Sequence, residues 1–230
     1  RKMGKITDAL KKAAQERLAR LDKLEQKADI RYEFIARKTV ESKIDPRIIP
    51  FYEPKSPVAE QYRTLRTNIQ AISTKNPVKT ITITSATHSE GKTITAINLA
   101  ISMAHDLNKK SVLLVDGDLR RARISTYLGF KAQTGLADLI ANGASAEDAL
   151  INIGIDNLTV LPAGKIPHNA AELLGSMKLK TLLSQLREKY DYIIFDSPPI
   201  IAVTDAGILG AQTDGVIMVI QANRTQKGVV

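Results

Sequence analysis

TITITSATHSEGKT, residues 80–93, is a β-branched run that breaks into a loop of small residues and closes on Gly91-Lys92-Thr93. The helical pattern of residues 94–106 follows at once. A short apolar strand feeding such a loop and then a helix is the sequence form of a phosphate-binding loop. In that reading the backbone of Ser89, Glu90, Gly91, Lys92, Thr93 and Ile94, at the helix N-terminus, cradles a polyphosphate. Lys92 reaches the terminal phosphates, and the Thr93 hydroxyl binds Mg²⁺.

Two further strands each end in a carboxylate. SVLLV (111–115) stops at Asp116-Gly117-Asp118, and YIIF (192–195) stops at Asp196-Ser197-Pro198-Pro199. Continuous apolar runs of this kind suit strands buried on both faces of a parallel sheet. Ligands of open α/β sheets bind beyond the carboxyl ends of the strands, so Lys92, Thr93, Asp116, Asp118 and Asp196 should meet in one crevice. Mg²⁺ takes one or two such carboxylates and keeps several waters. Taken singly, each aspartate reads equally well as a turn former or helix cap. It is the ordered set of one phosphate loop and two acidic strand ends that favours a nucleotide site.

Five segments occur in a telling order: AEQYRTLRTNI (59–69), SATHSEGKT (85–93), VLLVDGDLRR (112–121), LPAGKIPHNAAELL (161–174) and YDYIIFDSPP (190–199). On these the chain resembles the bacterial tyrosine kinases of polysaccharide export, from about residue 54 to its end. The resemblance implies a P-loop ATPase fold of the MinD/ParA type: a doubly wound, mostly parallel sheet with helices on both faces. It implies ATP as phosphoryl donor, with Lys92 on the β- and γ-phosphates and Thr93, Asp118 and Asp196 holding Mg²⁺. Asp116 would accept the proton of the attacking tyrosine. Glu60, Arg63 and Arg66, in the helix begun by Ser56-Pro57, would join subunits into a ring. Read without the resemblance, that trio is an ordinary charged face. The implied role is autophosphorylation between subunits that regulates exopolysaccharide polymerisation, chain length and export. The implied place is the cytoplasmic face of the plasma membrane, reached through a membrane chain-length determinant.

The chain also departs from the family pattern. His88-Ser89 stand where the family has Pro-Gly, and Ala86 takes the first loop position, normally glycine. A side chain where φ must be positive costs about 1 kcal/mol or more, which would lower nucleotide affinity. Thr87 stands where the MinD/ParA branch has its extra lysine. The family's acceptor tyrosines cluster in a C-terminal tail, whereas the last tyrosine here is Tyr192. Either that tail has been removed or the acceptor lies elsewhere. Two other readings stay open: a MinD/ParA-like ATPase switch, and a regulatory subunit that binds ATP without transferring phosphate.

At 230 residues, 43% of them hydrophobic, the chain can bury one sizeable core. It has no cysteine, which excludes disulfides, thiolate catalysis and Cys-based metal sites. His88, His105 and His168 have no ligand spacing. No apolar run nears the roughly 18 residues of a membrane span, and no signal peptide is visible.

Of the net charge of +9, most falls in residues 1–50, which hold 14 Lys/Arg and 8 Asp/Glu. Residues 4–28 read as a basic amphipathic helix, suited to an acidic membrane surface, a partner or its own domain. Nucleic acid is disfavoured, because acids interleave and only Tyr32 and Phe34 could stack there. The expected segments are 1–29 (this helix), 30–55 (a linker or wrapping arm with Pro46, Pro50 and Pro54) and 56–230 (the kinase domain). Ser56 should cap a helix that has Pro57 at its first position. Further helices are expected at 135–142, 144–152, 170–190 and 204–210, and strands at 158–161 and 215–220. The chain stops where this fold would continue with another helix, the pattern expected of a truncated chain.

Overall fold

Among the described residues seven strands form one sheet: β1 (Arg37–Lys38), β2 (Thr80–Ser85), β3 (Val112–Asp116), β4 (Ile151–Asn152), β5 (Leu158–Leu161), β6 (Tyr192–Asp196) and β7 (Gly215–Val219). Their spatial order is β1-β4-β5-β3-β6-β2-β7, with every neighbouring pair parallel except β4–β5. The computed structural model describes residues 37–38, 43–74, 76–226 and 228, all within one unit spanning Glu33–Val230. The basic helix expected over residues 4–28 lies outside the described residues.

Nine helices are described: α1 (Ile49–Tyr52), α2 (Pro57–Ser73), α3 (Lys92–Ala104), α4 (Ile124–Tyr127), α5 (Leu136–Asn142), α6 (Ala146–Ala149), α7 (Ala170–Leu174), α8 (Met177–Lys189) and α9 (Asp205–Gly210). Every residue of β2, β3 and β6 is buried, so the centre of the sheet is covered on both faces. Ile81, Ile83, Val112, Leu114 and Ile194 pack with Ile97, Leu99 and Ile101 of α3. Leu113, Val115, Ile193 and Phe195 are buried too, and by strand alternation they point to the opposite face. Helix α3 is apolar nearly all round because it lies in the core.

Ser56 caps α2, its hydroxyl accepting the Ala59 N–H at 3.2 Å, with Pro57 at the first position. The helical stretch expected over 170–190 divides at Gly175-Ser176, where Ser176 caps α8 by accepting from Leu179 N. The expectation of one helix over 144–152 is corrected: the helix ends at Ala149, and Ile151–Asn152 is a strand. Ile151 is β-branched and buried, and it pairs with Val160 across the antiparallel ladder. Sheet pairing there outweighs the local helical pattern. Within the stretch read as a linker or arm, Ile44 and Ile48 are buried in the core, and Asp45 N–H donates to Tyr127 O at 2.8 Å.

Candidate active site

The phosphate loop runs from the end of β2 to the start of α3. Two of its residues adopt left-handed backbone, Ser89 at φ 65° and Gly91 at φ 95°. A Cβ on Gly91 would meet nothing within 4 Å, so conformation rather than space calls for glycine there. Ser89 stands where the resembling family has glycine, and its positive φ is the costed departure made visible. Gly91 caps α3 with no side chain, its carbonyl accepting the Thr95 N–H at 2.8 Å. The first-turn N–H groups of α3 therefore face the loop, a ready site for anions.

The expected carboxylates gather beside that turn. Lys92 Nζ lies 3.2 Å from Asp118 Oδ2, 3.7 Å from Asp196 Oδ1 and 3.4 Å from Thr93 Oγ1. Thr93 Oγ1 donates to Asp196 Oδ2 at 2.7 Å. Asp118 Oδ1 accepts the Arg121 N–H at 3.1 Å, and Asp116 Oδ2 accepts the Ile124 N–H at 3.0 Å. Asp116 and Asp196 are 0% exposed and Asp118 2%, so these charges sit at the floor of the site. Asp116 Oδ1 and Asp196 Oδ1 have no hydrogen-bond partner.

Burial sets the protonation of this floor. It pushes the Asp116 carboxyl well above the usual carboxylate range, with the Asp196 charge adding to the rise. Asp196 is pushed up to about 6, burial again leading, while Lys92 and the Thr93 hydrogen bond pull against it. Asp196 so placed can hold and release a proton near neutral pH.

Glu90, expected among the nucleotide-binding residues, has its carboxylate engaged by the protein itself. Oε2 accepts the Thr87 N–H at 2.7 Å, and Oε1 accepts the Thr225 hydroxyl. Its backbone remains in the loop. Glu60, Arg63 and Arg66 lie apart from the site on α2. Arg63 bonds Glu60 Oε2 at 2.7 Å and Pro54 O at 2.6 Å. Arg66 Nη1 donates to Ser102 O at 2.6 Å, near the end of α3. A cavity of about 320 Å³ opens beside these arginines, lined also by Pro50, Pro54, Asp106 and Leu107. Arg66 Nε is buried without a hydrogen-bond partner.

Two residues escaped assignment from sequence. Arg120, inside the Asp-x-Asp-x-Arg motif, makes a bidentate pair with the fully buried Asp205: Nε to Oδ2 at 2.8 Å and Nη2 to Oδ1 at 3.0 Å. This ties the segment after β3 to the start of α9, which follows the DSPP turn. Asp138 Oδ2 accepts the N–H groups of Gly135 and Lys165 at 3.0 and 3.1 Å, fixing the LPAGK loop against α5. The signals available were the place of Arg120 in its motif and the acidic first-turn residues Asp138 and Asp205, and neither kind names a distant partner.

A family model described as an AAA domain matches residues 78–230. The tyrosine-protein kinase YwqD of Bacillus subtilis is 42% identical over 191 residues, covering 83% of this chain and 80% of that protein. Among solved structures, the chimerical protein CapA2B2 superposes with a TM-score of 0.76 at 29% identity, over 90% of this chain and 88% of that one. The septum site-determining protein MinD of Pyrococcus horikoshii, complexed with Mg-ADP, superposes at TM-score 0.52 with 30% identity, over 61% and 57% of the two chains.

Proposed function

The chain belongs to the bacterial tyrosine-protein kinases, and from that premise we propose that it takes ATP with Mg²⁺ at this loop and phosphorylates tyrosines on neighbouring copies of itself. The observation that carries the proposal is the contact of Lys92 and Thr93 with the carboxylates of Asp118 and Asp196, at the N-terminus of α3. The loop amides and Lys92 bind the β- and γ-phosphates. Thr93 Oγ1 and Asp196 offer a hydroxyl and a carboxylate oxygen, the hard donors that suit Mg²⁺, and Asp118 adds a second carboxylate. Among the described residues no three or more His, Cys, Asp or Glu form a metal cage by themselves, so the protein would supply only part of the shell, through Thr93, Asp118 and Asp196. Held by these residues, Mg²⁺ would supply positive charge against the phosphates. Asp116 receives the tyrosine proton at the unpartnered Oδ1, its raised affinity for a proton suiting it to a base.

Assembly through Glu60, Arg63 and Arg66 would bring one subunit's tyrosines to the next subunit's site. No helix among the described residues is long and apolar enough to cross a membrane. In this reading the protein acts at the inner face of the membrane through a membrane partner of chain-length control. The setting is regulation of exopolysaccharide polymerisation and export. A MinD-like switch is disfavoured because Thr87 occupies the place of that branch's lysine. The test is incubation with γ-labelled ATP and Mg²⁺, followed by mass-spectrometric mapping. Phosphotyrosine supports the proposal; ATP hydrolysis with no labelled tyrosine on any copy defeats it.

A further inference from the structure

Glu90 lies in the middle of the phosphate loop, where an ionised side chain aimed at a polyphosphate would repel it. Its carboxylate is tied back instead, leaving the residue 6% exposed. Oε2 accepts the Thr87 N–H at 2.7 Å, and Thr87 is held from its other side by Ser85 Oγ, which donates to Thr87 O at 2.7 Å. Oε1 accepts from Thr225, 135 residues along the chain. Burial opposes the ionised form of Glu90, but the bonds from Thr225 and Thr87 together overcome it and hold the carboxyl below its ordinary range.

Thr225 belongs to the turn that follows β7, and that turn orients its hydroxyl. The hydroxyl accepts the Gln221 N–H at 3.0 Å while the Thr225 N–H returns to Gln221 O at 3.0 Å. With one lone pair taken by Gln221, the single O–H is aimed at Glu90. A loop in the middle of the chain and a turn after the last strand are thus joined through one carboxylate.

We propose that Glu90 and Thr225 form a brace that positions the phosphate loop and keeps the Glu90 charge out of the cradle, so that the turn after β7 sets the loop's affinity for nucleotide. The proposal rests on the reading of this loop as a nucleotide site. Both are positioning residues, since the side-chain bonds of each go to the protein's own loop and turn. Without the Thr225 hydroxyl, Oε1 loses its partner, and the freed carboxylate can swing towards the incoming phosphates.

Calorimetry with Mg·ADP on the full chain tests this. Thr225→Val should weaken binding about threefold to tenfold, the scale of one ordinary hydrogen bond. Thr225→Ser should restore it, and the thermal midpoint without nucleotide should stay close to the parent's. Adding Glu90→Gln to Thr225→Val should recover part of the loss, because a neutral amide does not repel phosphate. A purely structural role predicts the reverse, a double variant weaker than either single one. That result, or parent-like binding by Thr225→Val, overturns the brace alone. No binding by the parent overturns the nucleotide reading and the brace with it.

Discussion

Asp116 and Asp196 stand opposite each other in register at the ends of β3 and β6, and both are sealed from solvent. Burial raises the affinity of both for a proton, and a like charge adds to it in each case: Asp196 acting on Asp116, and Asp118 on Asp196. The pairing makes the site a receptor for positive charge, as the Lys92 ammonium beside it shows.

The same pairing gives stability a pH dependence of known sign. The folded Asp196 carboxyl is raised to about 6, above the roughly 3.9 of an unfolded aspartate. The folded state therefore binds the proton more tightly, and this contribution is full below about pH 4 and lost as pH rises through 6. Its size is on the order of 1–3 kcal/mol. Asp191 and Asp214, held below the ordinary range, act in the opposite direction, so the readout is a difference between variants. Asp116→Asn removes the repulsion, and urea titrations from pH 4.5 to 7.5 should find its stability falling less with pH than the parent's. Parallel curves would refute the coupling.

Asp116→Asn also separates chemistry from binding. With the proton acceptor gone, tyrosine phosphorylation should fall by about a hundredfold or more. Mg·ATP affinity should stay within about tenfold of the parent, since Asp116 is proposed to touch neither phosphate nor metal. Phosphorylation at the parent rate would remove Asp116 from the role of base.

Lys92 has two duties that one substitution exposes together. Lys92→Met removes the charge proposed to meet the phosphates and should weaken Mg·ATP binding by roughly 2–4 kcal/mol. It also strips the partner of two buried carboxylates, the nearer at 3.2 Å, so the variant should lose more stability at pH 8 than at pH 5. Calorimetry showing unchanged affinity would end the reading of the loop as a phosphate site.

Replacing Glu60, Arg63 and Arg66 together by alanine tests the assembly surface. Light scattering after size exclusion should find the variant's mass reduced to that of a monomer, with phosphorylation between copies falling in step and Mg·ATP binding kept. The bonds of Arg63 to Pro54 O and of Arg66 to Ser102 O lie within one chain. Their loss alone predicts a lower thermal midpoint at unchanged mass, and that outcome would assign the trio to the monomer's own packing.

Local pattern was enough for much of this protein. The apolar runs ending in Asp116 and Asp196, the small-residue loop closing on Gly91-Lys92-Thr93 and the Ser56-Pro57 helix start are each written within a dozen residues, because strand burial, loop conformation and capping act over that distance. The strand at Ile151–Asn152, the anchoring of Arg66 on α3, the Arg120–Asp205 pair across 85 residues and the Glu90–Thr225 contact across 135 were not legible. Each depends on which distant segments the sheet lays side by side. One-dimensional order brought the acidic ends to the same edge of the sheet. Only tertiary packing set Asp116 against Asp196 in a space closed to water, where their charges acquire chemical force.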